Sequence, residues 1–266
     1  MDIDVTMTRD WLSHFHPEER GFADKAEEWI ERAAERHTVK VTDFLDPRQA
    51  EIVQSLANRY GGRAALYFDG GYPEAERRRA VITPDYRDPG AEDPGITVLA
   101  VTSADDRLAG LDHGDYMGAL LGLGIKREKV GDFHVRPDGC HVLVAAEIAE
   151  FLNIQLRQVS RVHVLTDILP LHRLQVVAST LEELILTVAS MRLDGIVSDV
   201  CRLSRAKAQL PIQAGRCRVN WKTEEDPSKP LKAGDTVSVQ GFGRFRILSA
   251  EPTKKERYRV RVGRFK

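Results

Sequence analysis

The 266-residue chain is 42% hydrophobic, enough apolar material for roughly two or three small domains, and its 39 Lys/Arg against 40 Asp/Glu leave a formal charge of −1. It has no apolar run of the ~18 residues a transmembrane helix needs and no basic, apolar leader, so a soluble cytoplasmic protein without membrane insertion is expected. Cys140, Cys201 and Cys217 are far apart, and His14, His16, His141 and the other histidines keep no metal spacing, so no disulfide framework, metal site or cofactor is expected.

Residues 1–61 read as a helical segment. Phe22, Ala26, Trp29, Ile30 and Ala33 recur at three- and four-residue spacings. A second helix opens with Asp46 as cap and Pro47 at its first position. Ile52, Val53, Leu56, Ala57 and Tyr60 form its apolar face, and Gly61-Gly62 ends it.

A mixed α/β stretch follows over 62–168. Ala64–Asp69 and Ala80–Thr83 read as paired strands, and Ile96–Thr102 as a third. Gly114–Leu123 is a helix closed by Gly124. Asp132–Arg136 and Cys140–Val144 make a hairpin about Pro137-Asp138-Gly139, followed by a helix over Ala145–Gln158 and a strand over Arg161–Leu165. This alternation suggests an α+β protein whose central domain is a ferredoxin-like sandwich. A boundary is expected between Leu169 and Thr180.

Two groups of cations stand out in the central stretch. Arg77, Arg78 and Arg79 are consecutive, and Lys126, Arg127 and Lys129 share a loop. Each group is either a patch for a polyanion (a second RNA patch, if the basic C-terminal module binds RNA) or a solvated surface. Gly122, Gly124 and Gly131 make no nucleotide fingerprint. His113 between Asp112 and Asp115 reads as helix-start chemistry rather than a catalytic cluster, because Asp favours N-caps.

The charge is unevenly placed. Residues 191–266 hold 18 Lys/Arg against 8 Asp/Glu, a local +10, while the remainder stands at −11. Such a basic module is the footprint of a polyanion binder. It opens with a strand over Leu181–Ala189. Met191–Leu203 then puts Leu193, Ile196, Val197 and Val200 on one helical face. Ser204 caps a second helix, with Ala206, Leu210 and Ile212 expected inward. Arg205 and Lys207 fall in its first turn, where the helix dipole disfavours cations by roughly 0.3–1 kcal/mol. A docked phosphate would relieve that conflict; solvated cations tolerated at small cost are the alternative. Arg216–Trp221, Asp235–Gln240 and Arg244–Leu248 read as strands. In the tail, Arg257, Arg259 and Arg261 alternate with Tyr258, Val260 and Val262, which suits either an RNA-facing strand or a charged edge strand.

The string MRLDGIVSDVCRLSRAKAQLPIQAGRCRVNW resembles the S4 RNA-binding domain. The family's ordered elements are Arg192-Leu193-Asp194, Ser204-Arg205, Gly215 and Val219-Asn220. Trp221 departs from the glycine that many S4 domains carry after the asparagine, which puts the usual tight turn in doubt. Carried over by position, the resemblance implies RNA contacts from Arg192, Ser204, Arg205 and Lys207, with Arg202, Arg216, Arg218 and Arg244 flanking. Asp194 is read as capping its helix or orienting Arg192.

FDGGYPEAERRRAVITPDY and LDHGDYMGALLGLGIKREKVGDFHVRPDGCHVLVAAEIAEFL resemble the YlmH-type S4 proteins, whose relatives in phototrophs carry the label photosystem II S4 domain protein. The resemblance implies a helical segment (1–61), a central RRM-like domain (62–168) and a C-terminal S4 domain (181–266). It also implies a non-catalytic role on the large ribosomal subunit, contacting ribosomal RNA and peptidyl-tRNA in rescue of stalled translation. The alternatives are an RNA-modifying enzyme targeted by its S4 domain and an assembly factor for a photosynthetic complex. Against the former, His172-Arg173-Leu174 is similar to a pseudouridine synthase string, but Gln175 stands where that string needs aspartate.

Overall fold

A computed structural model describes residues 12, 15–104, 108, 110–178, 180–253 and 256–265. His14, Lys254, Lys255, Lys266 and the start of the 1–61 segment lie outside them. Helix α1 (Pro17–Arg36) buries Ala23, Ala26, Ile30 and Ala33, and α2 (Pro47–Arg59) adds Ile52, Val53, Leu56 and Ala57 to the same core. The start of α2 is closed reciprocally. Gln49 N–H donates to Asp46 Oδ1 at 2.8 Å, and Asp46 N–H donates to Gln49 Oε1 at 3.0 Å.

Between these helices lies a strand that the reading of 1–61 as helical does not contain. β1 (Lys40–Leu45) and β2 (Ala64–Asp69) both pair antiparallel with β3 (Arg78–Pro84), in the order β1-β3-β2. The helical-segment expectation is therefore corrected, and so is a division at 61/62. Ala80 and Ile82 are buried with α1 and α2, and Leu66 and Phe68 pack on that core, which runs through the expected boundary. The partner of β1 lies beyond α2 and β2, and a register shift interrupts the pairing between Val41 and Phe44, so local periodicity carries little trace of the strand.

A second sheet has the order β5-β6-β4-β9, built from β4 (Ile96–Thr102), β5 (Val130–Arg136), β6 (Gly139–Ala145) and β9 (Leu165–Leu169), all antiparallel. Helices α3 (His113–Gly122) and α4 (Ala146–Gln155) bury Tyr116, Leu120, Ala149 and Leu152 against Leu99, Val101, Val142 and Val144. At the start of α3, Asp112 Oδ1 accepts from Asp115 N–H and Asp115 Oδ2 accepts from Asp112 N–H, each at 3.0 Å. The Asp112–Asp115 cluster is thus a helix cap, and His113 stacks edge-on against Phe133. Gly139 has φ +145, and a Cβ there would sit 2.1 Å from the Val101 carbonyl, so only glycine fits the hairpin. In place of a single strand over Arg161–Leu165, β7 (Gln158–Val159) and β8 (Val162–His163) form a short hairpin before β9 begins.

Beyond β9 the chain is pinned back onto this sheet. Gln175 N–H donates to His141 Nδ1 and Val177 N–H to His134 Nδ1, both at 3.1 Å. Both imidazoles are buried, and burial lowers the pKa of each. A protonated Nδ1 could not accept these bonds. As pH falls through about 6.5, the unfolded chain takes up these protons before the folded one. The contribution of these two histidines to stability is therefore fully present above that pH and is lost as pH falls below it. The melting temperature of this unit is expected to drop by about 4 °C between pH 7.5 and pH 5.5. A His134→Gln/His141→Gln variant should lose that dependence.

Ala178–Lys266 is a separate compact unit. Its sheet runs β10-β15-β14-β13-β11-β12, with β10 (Leu181–Val188), β11 (Cys217–Val219), β12 (Lys222–Thr223), β13 (Thr236–Val239), β14 (Gly243–Pro252) and β15 (Tyr258–Phe265). Helices α5 (Leu193–Cys201) and α6 (Arg205–Gln213) cover one face, burying Leu193, Ile196, Val197, Ala208 and Ile212 against Val237, Phe245, Ile247, Val260 and Val262. Two inward positions are corrected: Ala206 is exposed, and Leu210 is 61% exposed. The buried stripe of α6 is Ala208, Pro211 and Ile212, whereas Ala206 and Leu210, four residues apart, share the opposite stripe. The tail strand β15 lies between β10 and β14, so it is an interior strand rather than an edge.

Candidate nucleic-acid interface

The helical hairpin of the C-terminal unit is organised around one buried carboxylate. Asp194, in the first turn of α5, is fully buried. Arg192 grips it from the N-cap position, with Nε donating to Oδ1 at 3.1 Å and Nη2 to Oδ2 at 3.0 Å. Arg205 grips it from α6, with Nε on Oδ2 and Nη2 on Oδ1, both at 3.1 Å. Gln209 Nε2, one helical turn after Arg205, adds a fifth bond to Oδ2 at 3.0 Å. Burial works against the Asp194 charge, but hydrogen bonds from Arg192, Arg205 and Gln209 outweigh it and hold the carboxyl well below the usual carboxylate range. The side chains of Arg192 and Arg205 remain 40% and 58% exposed. Two planar guanidinium groups are thus fixed side by side, each with N–H groups still facing out, as a bidentate phosphate contact requires.

The backbone supports this clamp. Leu193 N–H and Asp194 N–H donate to the carbonyls of Lys229 and Pro227, so a loop of the unit, not an anion, satisfies the start of α5. Ser204 Oγ accepts from Lys207 N–H at 3.3 Å and caps α6. Asp194 also supplies the negative charge that the start of α6 lacks, which partly relieves the conflict between Arg205 and the helix dipole. Lys207 and Arg202 are exposed, and their side chains make no hydrogen bond or ion pair among the described residues. Arg202 sits at the α5 C-cap with φ +54.

The remaining candidates lie elsewhere. Arg216 is exposed between α6 and β11. Arg218 and Arg244 lie on strands whose neighbours Cys217, Val219 and Phe245 are in the core, so alternation turns them to the sheet face away from the helices. Arg244 lies 4.1 Å from the Phe265 ring centroid and 6.0 Å from that of Trp221. Trp221 does not abolish the turn. Asn220 and Trp221 have φ +51 and +65 between the paired Val219 and Lys222, a two-residue hairpin of the positive-φ type. A tryptophan held there costs roughly 1–2 kcal/mol against glycine. Asn220 secures it: its Nδ2 donates to Asp235 Oδ1 and its Oδ1 accepts from Thr236 N–H, both at 2.9 Å.

The second RNA patch is corrected. Arg79 is buried and donates to the carbonyls of Thr42 and Gly95 at 2.6 and 2.7 Å. Arg77 donates to the Phe44 carbonyl at 2.8 Å and to that of Val130 at 3.2 Å; Arg127 also donates to Val130 and Gly131. Burial, with Arg77 close by, pushes the Arg127 guanidinium down to about 10, so it stays charged at neutral pH. Lys129 bridges Asp43 at 2.6 Å and Glu147 at 2.9 Å. These cations tie the first sheet to the second. Of the six, Lys126 is exposed and Arg78 half-buried over the Phe68 ring. Among the described residues no cluster of His, Cys, Asp or Glu could hold a metal, and no helix is long and apolar enough to cross a membrane.

Two family profiles match the chain: "YlmH, N-terminal" over residues 18–87 and "Putative RNA-binding domain in YlmH" over residues 89–173. Together they cover more than half of it. The chain belongs to the YlmH family. It is 37% identical over 258 residues to the ribosome-associated protein quality control protein P2 of Bacillus subtilis (strain 168), covering 97% of this chain and 99% of that one. A solved structure described as cell division protein ylmH from Streptococcus pneumoniae shares the fold at a TM-score of 0.52 and 23% identity, covering 61% of this chain and 98% of that one. The two matched YlmH segments meet just after β3, where the first sheet ends and the second begins. The clamp around Asp194 lies beyond both segments.

Sequence reasoning did not single out Gln209, Arg246 or Phe265, and it read Trp221 only as a departure from the turn's usual glycine. Gln209 was accessible to it, being four residues after Arg205 on a helix and so on the same face. The others meet only through strand pairing.

Proposed function

We propose that this YlmH-family chain is a non-catalytic, cytoplasmic RNA-binding protein that acts on the large ribosomal subunit and its peptidyl-tRNA, in rescue of stalled translation. The observation that carries the reading is the clamp: two arginines held on one buried carboxylate with their outer edges exposed. The fit to phosphate is specific in chemistry, because guanidinium pairs at fixed geometry bind oxyanions bidentately. The quality-control role stated in the name of the Bacillus subtilis relative supports the ribosomal setting. The unit that carries the clamp is read as an S4 domain, from its two-helix hairpin and its Arg192-Leu193-Asp194, Ser204-Arg205 and Val219-Asn220 elements. The β4-α3-β5-β6-α4-β9 unit, with strand order β5-β6-β4-β9, is read as RRM-like.

Reversing Arg192 and Arg205 would place three carboxylates at one buried point and test folding instead of binding. The test therefore uses Arg202→Glu with Lys207→Glu, on exposed side chains. Co-sedimentation with large subunits is expected to fall at least about tenfold, with the circular dichroism unchanged. The slope of log affinity against log salt should shrink by about 2, one per lost phosphate contact. Undiminished co-sedimentation would remove the helical hairpin from the interface.

A further inference from the structure

The face of the six-stranded sheet turned away from α5 and α6 carries charge and aromatic surface that the clamp does not use. Alternation places Arg218 of β11, Arg244 and Arg246 of β14, and Arg259 and Arg261 of β15 there, because their neighbours Cys217, Val219, Phe245, Ile247, Val260 and Val262 are buried on the other side. The field is not uniform. Arg261 is paired with Glu183 at 2.8 Å, whereas toward the opposite end Arg244 and Arg246 lie over aromatic rings and Arg218 is in register with Arg244 across Ser238 of β13. Arg244 and Arg246 lie 4.1 and 5.6 Å from the Phe265 centroid, and Arg244 also reaches Trp221. Trp221 is half-exposed in a backbone conformation suited to glycine, and its ring is outside the core of the unit. A strained, bulky residue that does not serve the core points to a surface role.

We propose that this sheet face is a second RNA surface, separate from the clamp, on which an unpaired base stacks against Trp221 while Arg218, Arg244 and Arg246 take the flanking phosphates. Unpaired RNA is the favoured occupant because a single strand offers both base faces and a regular line of phosphates, whereas a duplex hides its bases. The inference rests on the RNA reading only for the class of polymer.

The test compares the full chain with Trp221→Gly on two fluorescein-labelled probes: a mixed-sequence single strand of about twelve nucleotides and a fully paired RNA stem. Trp221→Gly should weaken single-strand binding about tenfold, the loss of one stacked base. Stem binding should change less than about twofold, and melting of the C-terminal unit should not decrease. Trp221→Phe should restore most of the affinity. The difference should persist at high salt, since stacking releases no counterions. In the Arg202→Glu/Lys207→Glu variant, stem binding should fall while the Trp221-dependent single-strand binding remains, which separates this surface from the clamp. Unchanged single-strand binding in Trp221→Gly, or equal loss on both probes, would overturn the proposal. So would a wild-type chain that does not bind the single strand. Displacement of the strand by polyglutamate with equal affinity for wild type and Trp221→Gly would assign the face to an acidic protein instead.

Discussion

Replacing Asp194 by Asn is expected to make the α5–α6 hairpin one charge more positive and yet weaken the RNA binding proposed for it. If the hairpin acted only through its electrostatic field, the added charge would strengthen binding. The geometry predicts the reverse. Asp194 accepts five hydrogen bonds from Arg192, Arg205 and Gln209, two on Oδ1 and three on Oδ2, and each arginine's bidentate grip needs both oxygens as acceptors. An amide would present an N–H₂ group to a guanidinium that can only donate. The two arginines would then regain rotamer freedom and lose their fixed placement on one carboxylate. An affinity loss of about tenfold is expected for a structured RNA probe, with the C-terminal unit destabilised by about 2 kcal/mol. The stability figure is set below that of a fully buried ion pair because both arginines are more than a third exposed to solvent. Fluorescence anisotropy and thermal melting on the same sample would check both. Tighter binding by Asp194→Asn would reduce the clamp to a simple charge patch.

Replacing Arg79 by Ala should have the opposite signature: a large loss of stability with RNA affinity intact. Arg79 is 6% exposed, and its guanidinium donates to the Thr42 and Gly95 carbonyls while approaching Glu147 at 3.3 Å. Alanine would leave the buried Thr42 carbonyl without this donor, strip the Gly95 carbonyl of one of its two hydrogen bonds (the other comes from Ala146 N–H at 2.8 Å), and open a void in the seam between the first two sheets. Such a change costs about 3 kcal/mol or more, or a fall of roughly 6–12 °C in the melting temperature of Met1–Val177. The folded fraction should bind RNA as wild type does. Lost affinity with an unchanged melting temperature would return Arg79 to a binding surface.

The two arginine groups show how far a sequence carries. Arg205 stood out in the sequence because its setting is local, the first turn of a capped helix, whereas Arg192 entered through the match to the S4 motif, with Asp194 two positions away. The Asp46 cap and the helix-start role of Asp112 and Asp115 were legible because a helix start involves residues within one turn; Gln49 as the reciprocal partner of Asp46 was not read. Arg77, Arg79 and Arg127 look no different in composition from Arg192 and Arg205. Their partners are backbone carbonyls of β1, of the turn before β4 and of β5, and a carbonyl has no sequence signature. Strand β1 was missed on the same ground, since its pairing partner β3 lies beyond a helix and another strand.

By itself the sequence determined the α+β class, most of the strands and helices, the basic character of the C-terminal unit and the motif that marks its helical hairpin. These follow from hydrophobic period, turn chemistry and charge, all short-range along the chain. Tertiary structure alone decided which cations are buried and which face solvent, that one carboxylate gathers two arginines and a glutamine, and that Trp221, Arg244 and Phe265 meet. Such outcomes depend on strand order and register, which bring distant residues within hydrogen-bonding or stacking range, and no local pattern encodes that distance.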